Sequence, residues 1–132
     1  MCIRLEIGDT DMTDSVTDGW AMMKRVERAF NAGDVDALME DYADDAVMEL
    51  EIAGKSIIIE GRDAIRASLA RSVASSPHTT VKRVAASGNT LAAQIVGDDG
   101  RTLIASYWDM RDGKIIRDVG IIAAPELFAP KK

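Results

Sequence analysis

The sequence predicts an α+β fold, and three observations lead there. The first third of the chain repeats its apolar residues at helical spacing. The last third alternates like strands joined by tight turns, and one further helix separates a short hairpin from that strand series. At 132 residues the chain fits one domain with a core of its own.

The first helix is expected over about 15–31, where Val16, Trp20, Met23, Val26 and Phe30 form one apolar stripe. Asn31-Ala32-Gly33 stops it, and Asp34 caps a second short helix whose inward residues are read as Val35, Leu38, Met39 and Tyr42. A strand follows over 46–52, with Val47, Glu49 and Glu51 on one side and Met48, Leu50 and Ile52 on the other. Gly54-Lys55 turns the chain into the isoleucine-rich segment 56–60. Gly61-Arg62-Asp63 opens a third helix carrying Ile65, Leu69 and Val73, and Ser75-Ser76-Pro77 closes it. Strands are then expected at about 79–87, 90–96, 102–110 and 114–123. The domain is placed at 14–124, with a flexible leader at 1–13 and a loose tail at 125–132.

Composition narrows the function. A net charge of −6 argues against nucleic acid or an anionic membrane as partner. No stretch approaches the roughly 18 apolar residues of a membrane span, and no apolar run near the N-terminus has signal-peptide length, so a cytoplasmic address is expected. The single cysteine, Cys2, cannot form an internal disulfide, and no Cys/His cluster has metal-ligand spacing. Neither a metal nor a cofactor is expected.

Two turns set the expected register. Asp112-Gly113 is a two-residue hairpin signal, which pairs 111 with 114 and, counted without interruption, Tyr107 with Asp118, Ala105 with Gly120 and Trp108 with Arg117. Asp99-Gly100 pairs Ala92 with Tyr107 and Gln94 with Ala105. One face then carries Ala92, Gln94, Ala105, Tyr107, Asp118 and Gly120. The other carries Leu91, Ala93, Ile95, Ile104, Ser106, Trp108, Arg117, Val119 and Ile121. On the first face a phenol and a carboxylate lie opposite each other, about 5 Å apart at Cβ, beside side chains too small to fill a core. That is the pattern of a ligand site. Asp118 is the candidate base, as against a solvated strand acid or a salt-bridge partner of a neighbouring Arg; Tyr107 is the candidate hydrogen-bond donor to a ligand oxygen, as against a core aromatic. Gln94 is a candidate lining residue. His78 reads as a loop histidine, Asp109 as an exposed acid, and Trp108 with Arg117 as a cation–π pair.

The segments Phe30-Asn31-Ala32-Gly33-Asp34-Val35-Asp36-Ala37-Leu38 and Tyr42-Ala43-Asp44-Asp45-Ala46-Val47, then Gly61-Arg62-Asp63-Ala64-Ile65 and Asp112-Gly113-Lys114-Ile115, resemble the landmarks of the SnoaL-like and ketosteroid-isomerase-like superfamily, in order over about 16–123. The resemblance implies a curved sheet wrapped round the long helix as a cone, with a pocket at its wide end. Trp20, Met23, Val26, Met48, Leu50, Ile52, Ala105 and Gly120 are its expected lining and a small apolar molecule its expected ligand. It also implies a homodimer formed through the outer face of the sheet, for which the Ile/Trp/Val face is the candidate. The isomerases' base position resembles Leu50 and their helix tyrosine falls near Val26; the epoxide hydrolases' residues fall near Met48, Leu50, Ala92 and Gln94. None of these can do that chemistry. The last-strand acid resembles Asp118. The sequence therefore leaves two readings open: an isomerase, cyclase, dehydratase or hydrolase acting by acid–base chemistry, or a binding module that has lost the reaction.

Overall fold

The computed structural model describes residues 10–52, 54–76 and 78–123, with the side chains of 10–17 left undescribed. Cys2, most of the expected leader and the tail at 125–132 fall outside these residues. Nine elements follow in order: α1 (Thr10–Ala32), α2 (Val35–Met39), β1 (Tyr42–Ile52), β2 (Lys55–Glu60), α3 (Arg62–Ser75), β3 (Thr79–Ser87), β4 (Thr90–Gly97), β5 (Leu103–Arg111) and β6 (Lys114–Ala123). The strands form one six-stranded sheet in the order β2-β1-β6-β5-β4-β3, open at both ends. Among the described residues only the β1–β6 pair is parallel.

Helix α1 begins at Thr10, earlier than the periodicity indicated, so 10–13 belong to the helix. Three residues of its stripe pack as expected: Met23 is fully buried, and Trp20 and Val26 lean on the same core as Leu91, Ala93 and Trp108; Phe30 is half-buried, and the Val16 side chain lies outside the described residues. The helix sits close to the sheet at Gly19, where an added Cβ would lie 2.4 Å from a methyl of Leu91. Side chains then stitch α1 to β3. Asn31 bonds both the N–H and the C=O of Thr79, at 2.8 and 2.9 Å, and Glu27 accepts the N–H of Val81 at 2.8 Å.

The second helix is shorter than predicted. Asp34 caps it through the N–H of Ala37, but it ends at Met39, and Tyr42 starts β1 instead of closing a helical stripe. The apolar spacing 35-38-39-42 fits another helical turn equally well, so the pattern alone did not separate the two. Helix α3 buries Ile65 and Ser68.

The turns came out as read. Asp112 and Gly113 both take positive φ, 54° and 78°, and Arg111 pairs with Lys114. Ala92 pairs with Tyr107 and Gln94 with Ala105. The rest of the last hairpin did not follow. A β-bulge slips the register between Asp109 and Met110: Met110 pairs with Ile115, Asp109 with Arg117, and Ile116 is the extra residue. From there on Trp108 pairs with Asp118, Tyr107 with Val119 and Ser106 with Gly120. A one-residue slip moves every later side chain to the opposite face.

Candidate functional site

Residues paired across neighbouring strands share a face. A row therefore crosses the inner face of the sheet: Ala86, Leu91, Trp108, Asp118, Met48 and Ile59, from β3 to β2. The next row is Val84, Ala93, Ser106, Gly120, Leu50 and Ile57. Leu91, Trp108 and Met48 are buried, and Asp118 is buried among them with 8% of its surface exposed. The flank of the site grows steadily more open, from Leu50 and Ile52, half-buried, to Ile57, exposed. At Gly120 the missing side chain leaves room for Leu50, whose methyl lies 3.3 Å from where a Cβ would stand.

A carboxylate in such company needs partners. Asp118 Oδ2 accepts a 2.5 Å hydrogen bond from the Tyr42 hydroxyl. Burial pushes the Asp118 carboxyl up to about 6, against the opposing pull of the Tyr42, Trp108 and Ser106 donors. The Tyr42 phenol is held well above its ordinary range, first by burial and then by the negative charge of Asp118. Near neutral pH the pair is therefore a carboxylate gripped by a neutral phenol. Trp108 Nε1 is buried and meets no acceptor at hydrogen-bonding geometry, although the indole lies near enough to Asp118 to favour its charged form.

The bulge corrects the expected site. Tyr107 and Asp118 lie on opposite faces and do not form a pair. Tyr107, Gln94 and Ala105 face outward, where with Ala85, Ala92 and Ile121 they surround a shallow hollow of about 410 Å³. Arg117 faces outward too: its partner ring is Tyr107, 5.7 Å from guanidinium to centroid, instead of Trp108. It also donates to the Tyr107 hydroxyl at 3.2 Å and to both oxygens of Glu49 at 2.8 and 3.1 Å. Asp109, expected in solvent, is half-buried and accepts from Thr90 Oγ1 at 2.8 Å. The Trp108 face, expected to join two copies, is the face packed inside. His78 is exposed, as read. Of the residues named from sequence, Asp118, Met48, Leu50, Ile52 and Gly120 share the inner face, with Trp20, Met23 and Val26 packed from α1.

Tyr42 is the residue that sequence reasoning missed. It stood in the Tyr-Ala-Asp-Asp motif, but its helical spacing to Met39 hid its part in the sheet. Its carbonyl, with that of Met39, accepts from Arg62 at 2.6 and 2.9 Å. Tyr42 also borders a polar hollow of about 330 Å³ with Arg62, Arg111 and Lys114. Among the described residues no group of three or more His, Cys, Asp or Glu side chains is placed to hold a metal ion, and no helix is long and apolar enough to cross a membrane.

Comparison with known proteins adds the family. The model of the SnoaL-like domain matches residues 23–118. A SnoaL-like protein of unknown function from Burkholderia thailandensis superposes with a TM-score of 0.71 at 22% identity, covering 81% of this chain and 95% of that one. An NTF-2 like protein of unknown function from Burkholderia xenovorans gives 0.67 at 20% identity over 92% and 98%. A hypothetical protein with a ketosteroid isomerase-like fold from Catenulispora acidiphila, in complex with trimethylamine, gives 0.62 at 19% over 74% and 82%. No curated protein matches the sequence.

Proposed function

Because the chain belongs to the SnoaL-like domain family, we propose that it holds a small, largely apolar molecule against the inner face of its sheet and moves a proton on it with Asp118. One observation carries this reading: a carboxyl buried among apolar side chains, raised to about 6 and gripped by the Tyr42 phenol. A base is most effective when it ionises close to working pH. Asp118 takes a proton from a weak acid of the ligand and returns it to a neighbouring atom. Tyr42 is a positioning residue that fixes the carboxylate. Met48, Leu50 and Gly120 suit an apolar body.

A second reading is a binding module without turnover, favoured by Leu50 and Val26 at positions where isomerases of the superfamily carry their base and tyrosine. A thermal-shift panel of steroid ketones, terpenoid epoxides and aromatic polyketides, with trimethylamine as a cationic probe, finds the ligand that both readings require, and turnover of that ligand separates them. A bound ligand at 100 times its Kd raises stability by about 2.7 kcal/mol. The acid–base reading expects turnover of a stabilising ligand to rise through pH 6 and to fall at least 100-fold in Asp118→Asn. Equal turnover by that variant would overturn it.

A further inference from the structure

Gln94 and Tyr107 take no part in the acid–base site, and both border the outer hollow together with Arg83. A second bulge brings Arg83 there. Val81 pairs with Ile95 and Arg83 with Gln94, so Lys82 is the extra residue on β3. An unbroken ladder would set Arg83 opposite Ala93, on the inner face. The bulge turns it outward, next to an amide. The floor is then two short rows: Arg83, Gln94 and Ala105, and beside them Ala85, Ala92 and Tyr107. Arg83 and Tyr107 stand at opposite corners, two strands and two residues apart, about 12 Å between backbones. The three alanines keep the space between them low.

Arg83 is exposed, and neither it nor the Gln94 side chain has a polar partner among the described residues. The acids farther along this face are taken. Glu49 holds Arg117, and Glu51 accepts from the Ser56 hydroxyl. The described lining of the hollow thus carries one charge, a positive one, on a chain of net charge −6.

We propose that this hollow is a second ligand site, for a flat organic monocarboxylate with one or two aromatic rings. A guanidinium meets a carboxylate through two parallel N–H donors. The Gln94 amide adds a third, the alanines take the face of the ring, and Tyr107 takes its far edge. An inorganic anion leaves the alanine floor wet, and a neutral or cationic ring leaves Arg83 without a counter-charge. The volume, about 410 Å³, is within the range of small-molecule sites. This inference does not rest on the acid–base site.

Titration of the full chain with 2-naphthoate, followed by amide NMR spectra, tests it, with 2-naphthylmethanol as the uncharged twin. Saturable shifts are expected at the Gln94 side-chain amide and at Ala85, Ala92 and Ala105. The Kd should rise at least tenfold for the alcohol and in Arg83→Gln, an exposed change whose remaining spectrum reports the fold. Ala105→Leu fills the floor without touching the charge and should weaken binding as much, whereas Asp118→Asn should leave the Kd within twofold. An unchanged Kd in Arg83→Gln overturns the proposal. So do shifts confined to Met48 and Leu50 and lost in Asp118→Asn. The absence of any saturable shift, including one caused by a second copy covering this face, overturns it as well.

Discussion

Two carboxylates one strand apart, Asp118 on the inner face and Glu49 on the outer, respond oppositely to the same sheet. Glu49 is lowered by its hydrogen bonds to Arg117, which outweigh the opposing effect of burial. Asp118 is raised because burial outweighs its donors. The chemistry of the two groups is nearly identical, so the face decides. The outer side offers water and a paired guanidinium, and the inner side offers Met48, Leu91 and Trp108.

The comparison is broken most severely through the aromatic neighbours. Trp108→Ala empties a buried inner position and is expected to cost about 3–5 kcal/mol, whereas Tyr107→Ala on the outer face should cost well under half of that; urea denaturation of both variants reads the difference. The pH dependence of stability comes next. The folded Asp118 carboxyl titrates at about 6 and the unfolded one at about 3.9, so the folded state holds the extra proton between those values. Its contribution is complete below about pH 4 and lost as pH rises through 6, a fall of roughly 3 kcal/mol. Asp118→Asn removes that loss, so the variant should gain on the original chain between pH 4 and 7. Parallel curves would place the carboxylate in contact with water. The smallest effect belongs to Glu49→Gln: a slight fall in Tm at low salt that vanishes at high salt, because the ion pair is exposed and screened.

Much of this architecture was legible in the chain. The strands of the last third were placed within a residue or so because Gly100, Asp112 and Gly113 supply the positive φ that tight turns demand. The first helix was legible from its stripe, though not its start. The site was less so. Counting outward from residues 112 and 113 assumes an unbroken ladder, and the bulge has no turn residue to announce it. One signal was present: Ile115-Ile116 puts two apolar residues in tandem where strict alternation allows one, and keeping the count would have sent Arg117 into the core. Asp118 was singled out by the hairpin count and by its likeness to a family position; its true neighbour depended on a phase the pattern did not carry. Tyr42 was hidden by a second ambiguity, the spacing that suits a helix end and a strand start alike.

One contact made far from the acid bears on how firmly that acid is held. Arg62 opens α3, and its guanidinium grips two carbonyls in the link where α2 gives way to β1. Those oxygens belong to a crossing that has run out of helix and has not yet joined the ladder in full, since its register with β6 shifts between Tyr42 and Val47. The phenol that steadies the buried charge is thus anchored from behind by a cation reaching solvent. Anything that tugs on the start of that helix is transmitted, through two carbonyls and one ring, to the proton affinity of the interior.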